Sequence, residues 1–251
     1  MTHKTETRLY VDAALTETAE IFLDADRAHY LRNVLRLKPG VRVALFNGRD
    51  GEWLAEIGSF AKRSVGLTVV ARARVQSCEP DLWLAFAPIK RARIDFIAQK
   101  ATEMGATRIW PVFTRLTQMD RVNSTRLRAN AIEAAEQCGR LSVPDVREPT
   151  DLDSFVSDWP NDRVLLVCDE TGRGIPILRA LGGYDCRKAG FLIGPEGGLA
   201  KPELDRLDKL PNVCRVSLGP RILRADTAAL AALACWQAVV GDWKGGSKDE
   251  T

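Results

Sequence analysis

The chain has 251 residues, 45% of them hydrophobic, and 36 Lys and Arg against 33 Asp and Glu. That length allows one large core or two modest ones. No window reaches the roughly 18 uninterrupted apolar residues of a membrane span, and "MTHKTETRLYVDAAL" lacks the charged-then-apolar pattern of a signal peptide, so a cytoplasmic protein is expected.

Residues 8–75 read as short strands. "RLYVD", "EIFLD", "VRVALFNG", "EWLAEIG" and "VGLTVVARARV" carry β-branched or aromatic runs with partial alternation, broken by glycine and charged turns. One helix is expected around "DRAHYLRNVLRL", with Tyr30, Val34 and Leu37 at helical spacing. The sum is a small β-barrel. "QSCEPD" at 76–81 reads as a linker, because Pro80 disfavours helix before it.

Beyond 81 the rhythm becomes strand–helix alternation, the pattern of an α/β layer domain with a mostly parallel sheet. "LWLAFAPI" is a buried-type strand, and "RARIDFIAQKATEMG" is a helix ended by Gly105. "TRIWPVF" is the next strand. "NSTRLRANAIEAAEQCGR" follows as a helix capped by Asn123 or Ser124, with Leu127, Ala131, Ala134 and Cys138 on its apolar face. Then come "RVLLVCDE", a short helix near 175–181, "GFLIGPEGG", and a helix opening at "AKPELDRL" with Pro202 near its first position. "CRVSLG" and the apolar helix "DTAALAALACWQAVVG" close the domain, and the tail "KGGSKDET" is expected to be disordered.

The six cysteines are dispersed, with no C-x-x-C pair, and read as buried free thiols rather than as a zinc site or a disulfide framework. His3 and His29 are the only histidines, and His3 lies in a frayed terminus, which leaves no material for a histidine-based triad. Charge is unevenly spread. Residues 89–130 carry nine basic side chains against three acids, whereas 131–160 carry two against seven. A basic stretch of this size suits a polyanion, because neutralising phosphates releases counterions, although a solvated helix face accounts for it too. Lys100 with Glu103, and Glu136 with Arg140, are spaced as helical ion pairs.

Two turns suit a ligand. "FLIGPEGG" runs an apolar strand into Gly194, Pro195, Glu196, Gly197 and Gly198. In open α/β sheets ligands bind outside the carboxyl ends of strands, where such turns lie. There is no G-x-x-x-x-G-K-[ST], so a nucleotide hydrolase is disfavoured, and a carboxylate in the lysine's place suits a neutral or cationic ligand. "SLGPRILRADTAAL" repeats the theme, with Asp226 or Thr227 placed to cap the last helix. Arg221 and Arg224 could together hold a carboxylate or phosphate.

"QKATEMGA" (99–106), "EAAEQCGR" with "VP" (133–140 and 143–144), "GPEGG" (194–198) and "LGPRILRADTAAL" (218–230) occur in order and together resemble the 16S ribosomal RNA uracil-N3 methyltransferases of the SPOUT superfamily. "HYLRNVLRLKPG" (29–40) and "LFNG" (45–48) resemble that family's N-terminal, PUA-like barrel. Two positions depart from the family pattern. Ala225, Asp226 and Thr227 stand where it usually reads Thr-Glu-Thr, and Met104 stands where it has Leu.

The resemblance implies an α/β protein in two parts. A PUA-like small β-barrel would occupy 1–75 and bind RNA. After the 76–81 linker, a SPOUT α/β domain with a deep trefoil knot would occupy 82–243, followed by the 244–251 tail. It implies S-adenosylmethionine as cofactor, with Ile193, Gly194, Pro195, Glu196 and Gly197 on one loop. Leu218, Gly219, Ile222, Leu223, Arg224, Thr227 and Ala228 would hold it from the other. The reaction implied is methylation of N3 of a uridine in 16S ribosomal RNA, free or in the small ribosomal subunit. Arg224 or Arg221 would stabilise the uracil anion or a flanking phosphate, and Glu196 would act as base or orient one. Arg36, Lys90, Arg91, Lys100, Arg115 and Arg140 are the expected RNA contacts. A homodimer with the site at its interface is implied, and no metal or membrane is expected. The apolar last helix suits either that interface or the core. Rival readings keep the fold but move the methyl to another base or to ribose 2′-O, or make the chain a non-catalytic RNA-binding protein.

Overall fold

The structure, a computed structural model, describes residues 5–183 and 187–244. His3, Cys186 and tail residues 245–251 lie outside the described residues. Two compact units divide the chain. The first takes the chain up to Cys78 together with Ala135–Val143, and the second takes Glu79–Ala134 and the chain from Pro144 on.

In the first unit β1 (Arg8–Tyr10), β2 (Glu20–Leu23), α1 (Ala25–His29), β3 (Arg42–Phe46), β4 (Glu52–Phe60) and β5 (Val65–Arg74) follow in order. The strands form one sheet ordered β1-β3-β4-β5-β2, parallel only between β1 and β3. Both edge strands feed the same core, since Leu9 and Ile21 share a cluster with Leu45 and Leu67, so the sheet wraps around a single apolar centre. Asp24 caps α1 by accepting the Arg27 N–H at 3.0 Å. One π-helical turn, Tyr30–Val34, continues the helix. Its wider turn resets which face is inward. Leu31 is fully buried, while Val34 is 59% exposed and Tyr30 also faces out, which corrects the face expected from sequence. Leu37 does pack on the core.

A carboxylate at the start of β4 organises the polar side of this unit. Glu52 accepts from Arg8 Nε at 2.6 Å and from Arg74 Nη2 at 2.8 Å. The same guanidinium groups donate to main-chain carbonyls of the 135–143 segment, Arg8 to Ala135 and Arg140 and Arg74 to Gly139. Burial works to raise the Glu52 carboxyl, but the bonds from Arg74 and Arg8 outweigh it and hold the group below its ordinary range.

The second unit begins with β6 (Asp81–Phe86), α2 (Arg91–Glu103), β7 (Arg108–Phe113) and α3 (Ser124–Cys138), whose last residues count with the first unit. Next are β8 (Asp145–Val146), β9 (Thr150–Asp151), α4 (Leu152–Ser157), β10 (Val164–Cys168), β11 (Ile175–Pro176) and α5 (Ile177–Gly183). β12 (Lys188–Ile193), α6 (Lys201–Leu207), β13 (Val213–Ser217), α7 (Ala225–Val239) and one 3-10 turn, Asp242–Lys244, complete it. The sheet runs β11-β13-β10-β12-β6-β7-β8, and every pairing is parallel. Its central strands are buried on both faces, which is why they read as continuous apolar runs. Leu84, Phe86 and Leu166 enter one core with residues of α2, α5 and α7, while Ala85, Leu165 and Val167 enter another with residues of α4 and α6.

Several sequence expectations change here. β8, β9 and α4 were not anticipated, because two-residue strands and a one-turn helix in the charged 145–157 stretch leave no periodic signal. Cys138 is exposed and Ala135 takes the inward place on α3, since Ala131, Ala134 and Ala135 already complete the stripe. Cys78 is exposed too, whereas Cys168 and Cys214 are buried. Asn123 caps α3, accepting the Arg126 N–H at 2.9 Å. Neither Asp226 nor Thr227 caps α7. The helix starts at Ala225, with Arg224 at the cap and no side-chain cap bond. Asp226 instead accepts the Thr227 N–H and pairs with Arg93 of α2 at 3.8 Å. The buried face of α7, with Ala229, Ala232, Leu233 and Trp236, is a core face.

Candidate active site

β13, β10 and β12 are neighbours and parallel, so their carboxyl ends emerge side by side. From those ends come residues 169–172, the 194–198 turn and the 218–224 segment. Together with the first turns of α7 they enclose a cavity of about 280 Å3. β10 reaches its edge through Asp169, whose N–H donates to the Val216 carbonyl of β13 at 2.9 Å. β12 ends where Ile193 accepts the Ala87 N–H at 2.8 Å.

The cavity brings together most of the cofactor residues expected from sequence. Ile193, Gly194, Pro195 and Glu196 line one side; Leu218, Gly219, Arg221, Ile222 and Leu223 line another, with Ala228 at the base. Gly197, Arg224 and Thr227 are not in the lining. Gly197 packs by Leu116, and Arg224 and Thr227 are exposed at the start of α7. The loop after β10 was missed. Cys168, Asp169, Glu170, Thr171 and Gly172 form a third wall, and "CDETG" carries a charged, turn-forming pattern that could have flagged it.

Polar groups in this cavity differ in how far they are committed. Asp169 is buried, accepting the Thr171 N–H at 2.8 Å and pairing with Arg215 at 3.3 Å. The side chains of Glu170, Glu196, Arg221 and Arg224 make no hydrogen bond or ion pair among the described residues, which leaves their charges available. Burial pushes the Cys168 thiol well up, so it stays protonated and is no nucleophile.

The basic residues expected to meet RNA fall in different places. Lys90 precedes α2 and Arg91 opens it, at the same strand-end edge as the cavity, because β6 lies beside β12. Arg115 follows β7 on that edge, and its N–H donates to the buried Glu203 at 2.8 Å, just beyond the 194–198 turn. Lys100 lies about 15 Å further along α2 and is paired with Glu103 at 2.7 Å. Arg36 and Arg140 belong to the first unit, Arg36 exposed with a left-handed φ of 55° and Arg140 half-buried beside Ser142.

A doubly covered parallel sheet with a ligand-sized cavity across the ends of three adjacent strands defines an α/β enzyme that binds a small organic cofactor. The RNA methyltransferase domain matches residues 77–237 and the RNA methyltransferase PUA domain matches residues 23–70, and the chain belongs to this RNA methyltransferase family. The ribosomal RNA small subunit methyltransferase E of Rickettsia conorii is 34% identical over 229 residues, which is 90% of this chain and 93% of that one. Its counterpart from Synechocystis is 32% identical over 231 residues, 90% of this chain and 76% of that one. The crystal structure of the Neisseria gonorrhoeae enzyme of that name, bound to S-adenosyl methionine, superposes with a TM-score of 0.84 at 27% identity, covering 94% of this chain and 99% of that one. The first unit is therefore PUA-like and the second SPOUT-like.

Proposed function

We propose that this chain uses S-adenosylmethionine to methylate N3 of a uridine in 16S ribosomal RNA of the small ribosomal subunit. The observation that carries this reading is the cavity at the ends of β10, β12 and β13, in a chain so similar to small-subunit RNA methyltransferases. Its residues fit the cofactor. Ile193, Leu218, Leu223 and Ala228 supply apolar walls, and Glu170 and Glu196 supply negative charge toward a cationic ligand.

S-adenosylmethionine, when bound, supplies an electrophilic methyl group on a sulfonium. Uracil carries a proton on N3, so the chain must favour its anion. Lowering that pKa by two units needs roughly 2.7 kcal/mol of preferential stabilisation, an amount one well-aimed donor supplies at a site of developing charge. Arg221 stands in the cavity wall and Arg224 at the start of α7, both guanidinium groups without a partner among the described residues, and either can hold the uracil anion or a flanking phosphate. Glu196, exposed on the cavity rim, is the base or orients one. The target base leaves its stack to reach the site. Arg36, Lys90, Arg91, Lys100, Arg115 and Arg140 contribute to the RNA-binding surface, in keeping with the PUA-like first unit and the basic 89–130 stretch.

The same reading includes a deep trefoil knot in the second unit, pairing of two copies with the site at their interface, and action in the cytoplasm. The order β13-β10-β12-β6 is consistent with the knot, and among the described residues no helix is long and apolar enough to cross a membrane. Nucleoside analysis of 16S RNA from cells lacking this protein tests the function. Loss of one N3-methyluridine is expected; its persistence, or loss of a 2′-O-methylated nucleoside instead, overturns the reading.

A further inference from the structure

The loop after β10 holds two adjacent acids in different states. Asp169 is committed: one oxygen takes the Thr171 N–H at 2.8 Å and the other pairs with Arg215, which also reaches Asp208 at 3.1 Å. Its charge is therefore spent inside the fold, and its bond to Thr171 shapes the turn that carries Glu170. The Glu170 carboxylate lies against the 194–198 turn, so close that a Cβ at Gly198 would overlap its Oε1. Gly198 is at φ 74°, a left-handed backbone that favours glycine there. Exposed on the cavity wall, the Glu170 side chain has no hydrogen bond or ion pair among the described residues.

A carboxylate on a cavity wall, with no partner among the described residues, interacts unequally with ligands that differ in charge. Methyl transfer from S-adenosylmethionine to a uracil anion breaks the bond from sulfur to methyl and forms the bond from N3 to methyl. The sulfur keeps the electron pair and becomes a neutral thioether. The ligand leaving the cavity thus carries one positive charge less than the ligand that entered. We infer that Glu170 reads this charge: it favours the sulfonium form over the spent thioether, acting as a residue that sets substrate-over-product preference. The inference rests on the cavity being the cofactor site, and it assigns to Glu170 a role separate from those of Arg221 and Arg224 and from the proton-handling role of Glu196.

The test is titration calorimetry of the full chain and its Glu170→Gln variant with three ligands. These are S-adenosylmethionine, S-adenosylhomocysteine and sinefungin, which bears an ammonium where the methylated sulfur stands. Because Glu170 has no partner among the described residues, the variant's melting temperature should match that of the parent chain. The expected result is about a tenfold loss of affinity for S-adenosylmethionine and sinefungin, with S-adenosylhomocysteine changed by less than about twofold. Raising salt should erode the parent chain's preference for the charged ligands and leave the variant's ligand ratio nearly flat. Equal losses for all three ligands would mean that Glu170 holds a group they share, and no loss would mean that it reads nothing; either overturns the inference. Hydrogen exchange on the parent chain keeps the two readings apart. S-adenosylmethionine should slow exchange in 169–172, 194–198 and 218–228. If protection falls elsewhere, the cavity reading fails and the Glu170 role fails with it. If it falls there while the ligand ratio is unmoved in Glu170→Gln, only the Glu170 role fails.

Discussion

Arg93 of α2 and Asp226 in the first turn of α7 approach to 3.8 Å, with both side chains partly exposed. Asp226 stands where the related family usually has glutamate, so the residue that departs from the pattern is also the one that ties two core helices. A long, part-exposed pair is weak. A double-mutant cycle with Arg93→Ala and Asp226→Ala, read by urea unfolding, should give a coupling of about 0.2–1 kcal/mol. Asp226→Asn alone should cost no more than about 1 kcal/mol, mostly from its place near the positive end of α7. A coupling above about 2 kcal/mol would show that the pair is tighter than its geometry.

The arginines of the 218–224 segment should affect turnover rather than cofactor affinity. Whichever of Arg221 and Arg224 meets the developing uracil charge should lose about 100-fold or more in turnover on change to alanine. Calorimetry with S-adenosylmethionine should show little change for that variant. Full turnover in both single variants would remove the arginines from the chemistry.

Glu52 gives a pH-dependent stability. Its carboxyl titrates below its ordinary value of 4.5 in the folded chain, because Arg74 and Arg8 outweigh the effect of burial. Its contribution is therefore complete above 4.5 and is lost as pH falls through the lower folded value. Glu52→Gln should destabilise the first unit by about 1–3 kcal/mol at neutral pH. The gap between variant and parent, measured as urea midpoints, should begin to narrow as the pH falls below 4.5 and close only below the lower folded value. A gap that stays constant with pH would mean that packing rather than charge is lost.

Gly105, after α2, has φ 81°, and a Cβ there would overlap Gln237 Nε2. That nitrogen donates to the Met104 carbonyl at 2.8 Å. Gly105→Ala therefore strains a left-handed backbone and displaces a buried hydrogen bond at once. A loss of about 2 kcal/mol or more is expected in thermal or urea unfolding. Gly139, also at positive φ but with open space around its Cα, should tolerate alanine at roughly half that cost.

RNA binding should weaken steeply as salt rises, with each phosphate contact adding about one to the slope of log affinity against log salt. Arg36→Ala, Lys90→Ala and Arg115→Ala are each expected to lower that slope by about one. Lys100→Ala should lower it less, since Glu103 already neutralises that ammonium. Filter binding across a salt series measures this directly.

Much of this protein is set by local pattern. Parallel strands buried on both faces leave unmistakable apolar runs at 82–89, 164–168 and 190–193. Glycine turns mark where 194–198 and 218–220 leave the sheet, and the order of motifs points to the family. Relations between distant segments were out of reach of pattern. Glu170 belongs to the cavity because β10 lies between β12 and β13, an order no periodicity encodes. The face of the helix near Leu31 was misread because a π-helical turn shifts the register by less than local spacing can reveal. Asp226 looked like a cap because its residue type favours caps, yet the cap falls two residues earlier, at Arg224, and the Asp226 carboxylate lies 3.8 Å from Arg93 of α2. The chain's own chemistry named the residues able to act; which of them share a wall, and which are already spent on partners, was decided by packing across the sheet.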